Sequence, residues 1–309
     1  MQVYRLTGGE ALPPLPPTVT AIGFFDGVHM GHRALLAAAG EEAEKRGVSP
    51  SVLTFDDDPA LKPSAPRLTD LQTRLRLLAE CGVAVAFVMN FSEVRSLTPA
   101  AFVGQILCNR LHTALALAGF NFRFGCGAAG DAEALVSLMR AGGGDARILP
   151  PTALPDGTVI SSSHVRDALL AGDPERARML LGRPYSFALP VLHGRAIGRT
   201  LGIPTVNQVF PQGLLIPRFG VYAAACRVGE TLYPAVTNIG KRPTVPGGGV
   251  VAETHLIGFS GDLYGETLPV ALLRYLREEK KFDSLDALRA QIQTNIDEVK
   301  ALWQENGPK

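Results

Sequence analysis

Residues 18–32 read TVTAIGFFDGVHMGH: an apolar run, a glycine-containing turn and the beginning of a stretch rich in Ala, Leu and Glu. The run predicts a buried strand over Thr18–Phe25, and the following stretch predicts a helix over Gly31–Lys45. The same alternation continues, with strands predicted at Ser51–Phe55, Val83–Met89, Thr113–Gly119 and Ala146–Leu149, and helices at Asp70–Cys81, Pro99–Arg110 and Asp131–Ala141. Strands that recur with helices between them indicate a parallel sheet, whose ligands bind beyond the carboxyl ends of the strands.

The character of the sequence changes after residues 182–184 (GRP). Two short helices are predicted before this point, at Ser162–Leu170 and Pro174–Leu181. Beyond it, strand-like runs such as Val221–Val228 and Leu232–Val236 alternate with Gly/Pro turns, which is typical of a small barrel or sandwich. A final helix is predicted at Ser284–Trp303. A length of 309 residues favours two domains, and we place them at 1–183 and 184–309.

Composition excludes several classes of protein. The net charge of +1 gives no electrostatic reason to expect a nucleic acid or a membrane surface as partner. Four widely spaced cysteines without a CxxC pair predict free thiols in a cytoplasmic protein. The first residues lack the apolar segment of a signal peptide, and no run reaches 18 apolar residues. We expect small-molecule partners; association of protomers, including a homo-oligomer, stays open.

The turn at 23–32 carries the first chemical group. His29 and His32 flank Gly31, which lets a phosphate approach the backbone, and the helix N-terminus supplies N–H donors and a positive dipole. Two imidazoles there could stabilise charge that develops during phosphoryl or nucleotidyl transfer. The alternative is a surface turn or a fortuitous metal pair.

A second group opens the helix predicted at Ser162–Leu170. Serine hydroxyls at its N-terminus, with Arg166 one turn further, could clamp a phosphate. The alternative is an ordinary helix cap and a solvated arginine.

The third group lies in residues 194–207, GRAIGRTLGIPTVN. Gly198 and Gly202 permit close approach of the backbone to a phosphate, and Pro204 fixes the turn. The Thr205 hydroxyl and the Asn207 amide oxygen are hard ligands suited to Mg²⁺. On local features alone, a Gly/Pro-rich barrel corner explains the string equally well.

The N-terminal groups resemble the HxGH nucleotidyltransferase superfamily, specifically the FMN adenylyltransferase half of bacterial bifunctional riboflavin kinase/FAD synthetases. Residues 23–32 resemble the GxFDGVHxGH signature, 53–55 the start of its second motif, 121–125 the (D/N)FxFG segment and 162–166 the SSxxR signature. The resemblance implies a Rossmann-like domain that joins FMN to the AMP part of ATP, giving FAD and pyrophosphate with Mg²⁺. It implies His29 and His32 as catalytic residues, and as ATP- or phosphate-binding residues Gly23, Asp26, Gly31, Asn121, Ser162, Ser163 and Arg166.

Two positions depart from that family. Asp58 stands where a histidine is expected, within an acidic run over 56–58 that should repel a triphosphate unless Mg²⁺ intervenes. Phe24 stands where the family often has Asn, which removes a polar contact.

The C-terminal part resembles flavokinase over its whole length. Residues 202–207 resemble the GxPTAN signature, and later segments resemble GVY (220–222), TNIGxRPT (237–244), ExHL (253–256), LYG (263–265) and RxExKF (277–282). The resemblance implies a small Greek-key β-barrel flavokinase domain with a C-terminal helix, which phosphorylates riboflavin to FMN with ATP.

The flavokinase resemblance also implies roles for single residues. Thr205 and Asn207 would bind Mg²⁺ and ATP phosphate, together with Gly198, Gly202 and Pro204, and Glu253 would be the general base. Arg277 would contact flavin or phosphate and Tyr222 would contact the flavin, with a structural ion pair as the alternative for Arg277. Asn295, where the family often has Asp, should affect packing or capping.

Three hypotheses follow. The first is a bifunctional enzyme of flavin-cofactor synthesis. The second is a riboflavin kinase whose N-terminal domain serves only as a nucleotide-binding or assembly scaffold, supported by the acidic run. The third is a flavin-binding regulator without turnover, which would need neither Mg²⁺ ligands nor a base.

Overall fold

The computed structural model describes residues 1–6, 12–13, 15–56, 66–193, 202–242 and 249–306. Contacts divide the chain into two compact units, Met1–Ser162 and Ser163–Lys309. The boundary that we place at residue 183 from the sequence stays a prediction. Within the described ranges, no helix is long and apolar enough to cross a membrane.

The first unit is built on a parallel sheet of six strands. They are β1 (Gln2–Leu6), β2 (Thr18–Ile22), β3 (Ser49–Phe55), β4 (Val85–Met89), β5 (Thr113–Gly119) and β6 (Asp145–Leu149). Their order across the sheet is β1-β4-β3-β2-β5-β6, so β2 lies in the interior of the sheet. All five residues of β2 are buried, because apolar side chains pack on both faces of a parallel sheet. The predicted parallel sheet is confirmed, and β1 is a strand that the sequence reading missed.

Helices cover both faces of this sheet. They are α1 (Met30–Arg46), α2 (Leu71–Glu80), α3 (Phe91–Val94), α4 (Pro99–Ala101) and α5 (Ala132–Ala141). The helix predicted at Pro99–Arg110 is present, but residues Phe102–Arg110 form a π-helix. Asp70 and Asp131 cap α2 and α5 by accepting backbone N–H bonds, as short polar side chains do at helix starts. Two apolar clusters, one around Leu53 and Phe87 and one around Val52 and Leu117, form the core.

The second unit begins with two helices and continues as an antiparallel sheet. The helices are α6 (Ser162–Ala171) and α7 (Pro174–Leu181), and the strands are β7 (Tyr185–Pro190), β8 (Val206–Val209), β9 (Gly220–Val228), β10 (Thr231–Lys241), β11 (Val250–Leu256) and β12 (Thr267–Arg277). The strand order is β7-β12-β9-β10-β11-β8, in which β12-β9-β10-β11 is a Greek key. A bridge between Leu192 and Asn207 joins the two ends, so the sheet curls into a half-barrel. The predicted barrel-like domain is confirmed.

The C-terminal helix, Leu285–Asn306, packs on one face of this half-barrel. Ile296 and Val299 of the helix contact Val221 and Val236 of the strands. The helix was predicted at Ser284–Trp303; Ser284 instead precedes it and accepts a hydrogen bond from the backbone N–H of Ala287 at 3.1 Å. The helix therefore covers the apolar side chains of Val221 and Val236 on that face of the sheet.

Candidate active sites

The turn after β2 has an unusual backbone. Phe25 (φ 58°), Gly27 (φ 77°) and Val28 (φ 41°) all have positive φ, which is strained for the aromatic and the β-branched residue. Phe25 and Val28 are completely buried, so core packing holds the strain in place. The turn ends β2 at Ile22, three residues before the predicted strand end at Phe25. The chain thus leaves the sheet abruptly and begins α1 at its carboxyl edge.

Two histidines form the beginning of α1. His29 caps the helix, since its Nδ1 accepts a hydrogen bond from the N–H of His32 at 3.2 Å. The two rings stack with centroids 3.6 Å apart. A Cβ on Gly31 would lie 3.2 Å from Cε1 of His29, which explains why the position between the histidines is glycine.

The protonation state of His32 follows from its surroundings. Burial, followed by the neighbouring His29 and Arg74, lowers the pKa of His32 well below its ordinary value of 6.5. The ring is therefore neutral at pH 7 and can donate only one N–H. Its Nδ1 is buried and has no hydrogen-bond partner among the residues that the structure describes.

Ser162 joins two motifs that lie 136 residues apart. Its Oγ donates a hydrogen bond to the carbonyl of Asp26 at 2.8 Å. Ser163 beside it is exposed and Arg166 is half-buried. Asn121 is exposed just beyond β5, the strand that pairs with β2. The structure therefore brings the predicted histidines, Asn121 and Ser162 to one edge of the sheet.

The Asp26 carboxylate has a different set of partners. It is 3% exposed and accepts the backbone N–H bonds of Leu68 at 3.0 Å and Thr69 at 3.1 Å. These bonds hold the segment that leads into α2. Asp26 is thus engaged in building the site, and its predicted contact with phosphate stays a prediction. Gly198, Asp57 and Asp58 lie outside the described residues.

Sequence reasoning missed Arg74, a completely buried residue of α2. Its Nη2 donates to the carbonyl of Phe55 at 2.6 Å, and its guanidinium carbon lies 4.4 Å from the centroid of the Phe24 ring. An arginine on the same helix face as Leu77 and Leu78 was the available signal, because charged residues are rarely buried there without a function or a partner.

An aromatic pocket of about 190 Å³ was also missed. Its lining includes Phe55, Phe91, Phe102, Phe122 and Phe124, with Arg95 and Arg123 at the same cavity. The rings of Phe122 and Phe124 stack at 5.5 Å. A flat apolar ligand with an anionic end would match such a lining.

A second cavity, of about 280 Å³, lies in the half-barrel. Residues 204–207 line it, as do residues 259–264. The predicted metal ligands Thr205 and Asn207 are both half-buried here. His255 binds the carbonyl of Pro204 through Nδ1 at 2.8 Å, and burial lowers the pKa of His255. A hydroxyl and an amide oxygen on this wall fit a hard cation such as Mg²⁺.

Strand register places the predicted base next to a predicted metal ligand. Asn207 of β8 pairs with Glu253 of β11, and Glu253 pairs with Asn238 of β10. Asn238 pairs in turn with Val221 of β9, and Val221 with Arg277 of β12. Directly paired residues share a face of the sheet, so the side chains at 207, 253, 238 and 221 form one row. A β-bulge interrupts the row beside Arg277, and Val221 packs on the C-terminal helix. We call Asn207, Glu253 and Asn238 the polar row.

Glu253 itself is held by an arginine. Arg242 donates Nε to Oε1 of Glu253 at 3.2 Å and Nη2 to Oε2 at 2.6 Å. The hydrogen bond to Glu253 is the main cause that raises the pKa of Arg242. Arg242 lies in the segment that resembles TNIGxRPT, but the sequence analysis gave it no role.

The two predicted flavin contacts are engaged within the protein. Arg277 donates Nε to Oδ1 of Asn295 at 3.0 Å, and burial lowers its pKa. Asn295 is 2% exposed, in line with the packing role expected for it. Tyr222 is 1% exposed and donates its hydroxyl to the carbonyl of Arg218 at 2.5 Å. Burial raises the pKa of this hydroxyl. Their roles toward flavin stay predictions.

Comparisons with known proteins match both parts of the chain. Residues 181–303 match the riboflavin kinase family, and residues 13–164 match the FAD synthetase family. The chain is 40% identical over 301 residues to the bifunctional riboflavin kinase/FMN adenylyltransferase of Escherichia coli K12, covering 94% of this chain and 95% of that protein. It is 33% identical over 295 residues to the protein of the same name from Bacillus subtilis, covering 91% of each.

A solved structure is similar over nearly the whole chain. It is a crystal structure described as a macrolide-efflux protein from Streptococcus pneumoniae, with a TM-score of 0.86 and 31% identity over 97% of this chain and 99% of that one. That description concerns the Streptococcus protein. The two family matches and the curated relatives agree on flavin chemistry.

Proposed function

We propose that two reactions run at the two sites described above, in a chain that belongs to the family of bifunctional riboflavin kinase/FMN adenylyltransferases. The chain is a riboflavin kinase in its C-terminal region and an FAD synthetase in its N-terminal region. ATP is the co-substrate of both reactions. Membership of the family does not say which side chains of this chain act in each reaction. The geometry of the two sites supports the following assignments.

For the N-terminal reaction, we assign the ATP phosphates to the edge formed by His29, His32 and Ser162. Neutral His32 offers one N–H to an oxygen of the α-phosphate, where charge grows as the FMN phosphate attacks and pyrophosphate leaves. Asn121 lies beyond β5, the strand next to β2, at the same edge. The roles of Ser163 and Arg166 toward phosphate stay predictions. Gly23 and Gly31 leave the backbone open to the phosphates.

For FMN in that reaction, we assign the isoalloxazine ring to the aromatic pocket. Phe122, half-buried and backed by the stacked ring of Phe124, lines the pocket, and Arg123 in the same lining offers a positive charge to an anionic group. Phe122→Ala should raise KM for FMN in FAD synthesis more than it lowers kcat of that reaction. The kinase reaction should be unaffected.

For the kinase reaction, the single observation that carries the assignment is the pairing of Asn207 with Glu253. Glu253 accepts the proton of the ribityl 5′-hydroxyl as that oxygen attacks the γ-phosphorus of ATP. Thr205 and Asn207 would hold Mg²⁺, which would neutralise charge on the ATP phosphates. Gly202 and Pro204 shape the loop beside them.

One incubation tests the pair of reactions. Purified protein is mixed with riboflavin, ATP and Mg²⁺, and FMN and FAD are separated by chromatography. We expect FMN first and FAD after it. FMN without FAD would indicate that the N-terminal unit serves only as a scaffold. No product at all would favour a flavin-binding regulator without turnover.

We further propose that the protein works in the cytoplasm. Cys81, Cys108, Cys126 and Cys226 are all free thiols, as is usual where glutathione keeps proteins reduced. Cell fractionation with an antibody would test this, and recovery outside the cytoplasm would contradict it.

A further inference from the structure

A chain of polar contacts leads away from Glu253 on the side opposite Asn207. Both carboxylate oxygens of Glu253 are bonded by Arg242, which is the first residue after β10. A two-pronged arginine bond fixes the plane of a carboxylate, whereas a single bond leaves it free to rotate. The Glu253 side chain is 30% exposed and would otherwise sample several rotamers.

Arg242 is held in turn from its other edge. Its Nη1 lies 3.4 Å from Oε1 of Glu279, and Nδ2 of Asn238 donates to the same oxygen at 3.1 Å. Glu279 follows β12, so three separate stretches of chain meet at one guanidinium. Gly240 permits the meeting, because a Cβ there would collide with the Glu279 carboxylate.

The arrangement leaves room for substrate. Each carboxylate oxygen has two lone pairs, and Arg242 uses one on each oxygen of Glu253. A second lone pair on each remains for the hydroxyl that must be deprotonated. Arg242 therefore orients the carboxylate without blocking it.

We propose that Arg242 is a positioning residue for the kinase reaction, which holds Glu253 in the orientation that receives the substrate proton, and that Glu279 and Asn238 fix Arg242. The assignment rests on the proposed role of Glu253. It adds Arg242 and Glu279, to which neither the sequence reading nor the family matches assign a function. Its physical basis is that small errors in the placement of a reacting group are costly in rate.

The test compares Arg242→Gln with Arg242→Lys in the full chain. We expect Arg242→Gln to lower kcat for FMN formation about 10- to 100-fold, with KM for riboflavin and ATP changed less than about threefold. Lysine should restore part of kcat, because it supplies the charge but only one bond at a time. Arg227→Gln, an exposed arginine in the same half-barrel, is the matched control and should leave kcat unchanged.

Glu279→Gln supplies an independent arm. It should lower kcat by about threefold in the native background and have little further effect in Arg242→Gln, since residues in one network are not additive. FAD synthesis from supplied FMN should stay at the native rate in every variant, which shows that the N-terminal unit is folded. An unchanged melting temperature by circular dichroism would show the same for the half-barrel.

The outcomes distinguish the positioning role of Arg242 from the role of Glu253 as the base. Full kcat in Arg242→Gln, a change in KM alone, or additive losses in the double variant would overturn the positioning role. If Glu253→Gln also keeps full kinase activity, the proposed function fails with it. If Glu253→Gln is inactive while Arg242→Gln is not, only the positioning role fails.

Discussion

The two sites are built in different ways. In the first unit, one continuous turn between β2 and α1 supplies both histidines, and its strained backbone is held by buried Phe25 and Val28. In the second unit, the stretch after Gly202 supplies Thr205 and Asn207, but the proposed base Glu253 comes from another strand. The polar row is instead assembled by register, from strands whose residues 207, 238 and 253 are far apart in sequence. A local site depends on backbone geometry, whereas a register site depends on cross-strand pairing and on the side chains that orient it.

The largest expected effect tests the register site. Glu253→Gln keeps the shape of the side chain but removes the proton acceptor, so FMN formation should fall by about 10²- to 10⁴-fold. FAD synthesis from supplied FMN should persist. Both rates can be measured by chromatography on one preparation. Glu266→Gln, an exposed glutamate of the same unit, is the control. Loss of both reactions would refute the division between the sites.

The next largest effect tests the histidine site in the turn between β2 and α1, where FAD synthesis should be lost and FMN formation kept. His32→Ala removes the neutral N–H donor, and FAD synthesis should fall by about 10²- to 10³-fold. FMN formation from riboflavin should continue at the native rate. A variant that still makes FAD at the native rate would remove His32 from the proposed mechanism.

A smaller change tests whether backbone geometry matters as much as the histidines. Gly31→Ala brings a Cβ to 3.2 Å from the His29 ring and should displace it by a few tenths of an ångström. We expect FAD synthesis to fall by about tenfold. Gly40→Ala, in the same helix with no atom within 4 Å of the new Cβ, is the matched control and should stabilise α1 by about 0.5–1 kcal/mol. Equal activities of the two variants would contradict the geometric argument.

The smallest effect concerns pH and stability. The pKa of His32 is depressed in the folded chain, so the unfolded chain binds the proton first as pH falls. The stability contributed by neutral His32 is complete above about pH 6.5 and should decline by about 1 kcal/mol between pH 7 and 5.5. Urea unfolding at the two pH values should show this decline in the native chain and a smaller one in His32→Asn. His112→Asn, at an exposed histidine, should behave like the native chain.

Much of the fold is predictable from sequence because its signals are local. Alternating apolar runs and helical stretches predict the parallel sheet, since each strand is buried on both faces. The end of β2 was predicted three residues too late, because Phe25 is apolar enough to extend the strand and only the folded core shows its positive φ. β1 is short and mostly exposed, and its sequence lacks the continuous apolar run of the interior strands.

The candidate sites were predictable where a motif is contiguous. The histidine and serine motifs were identified separately, but only the bond from Ser162 to Asp26 shows that they meet. The pairing of Asn207 with Glu253 and the contacts of Arg242 depend on strand register, which the sequence does not state. The burial of Arg74 and the formation of the aromatic pocket depend on packing between elements, which the sequence pattern indicates only weakly.

Mixing two variants, each impaired in a different one of the two reactions, tests the central claim most directly. Glu253→Gln and His32→Ala proteins are each incubated with riboflavin, ATP and Mg²⁺, alone and together, and FAD is measured by chromatography. If the two reactions run at two separate sites, Glu253→Gln alone should make neither product, His32→Ala alone should stop at FMN, and the mixture should make FAD. FAD from either variant alone at the native rate, or a mixture that makes FMN but no FAD, would contradict the account.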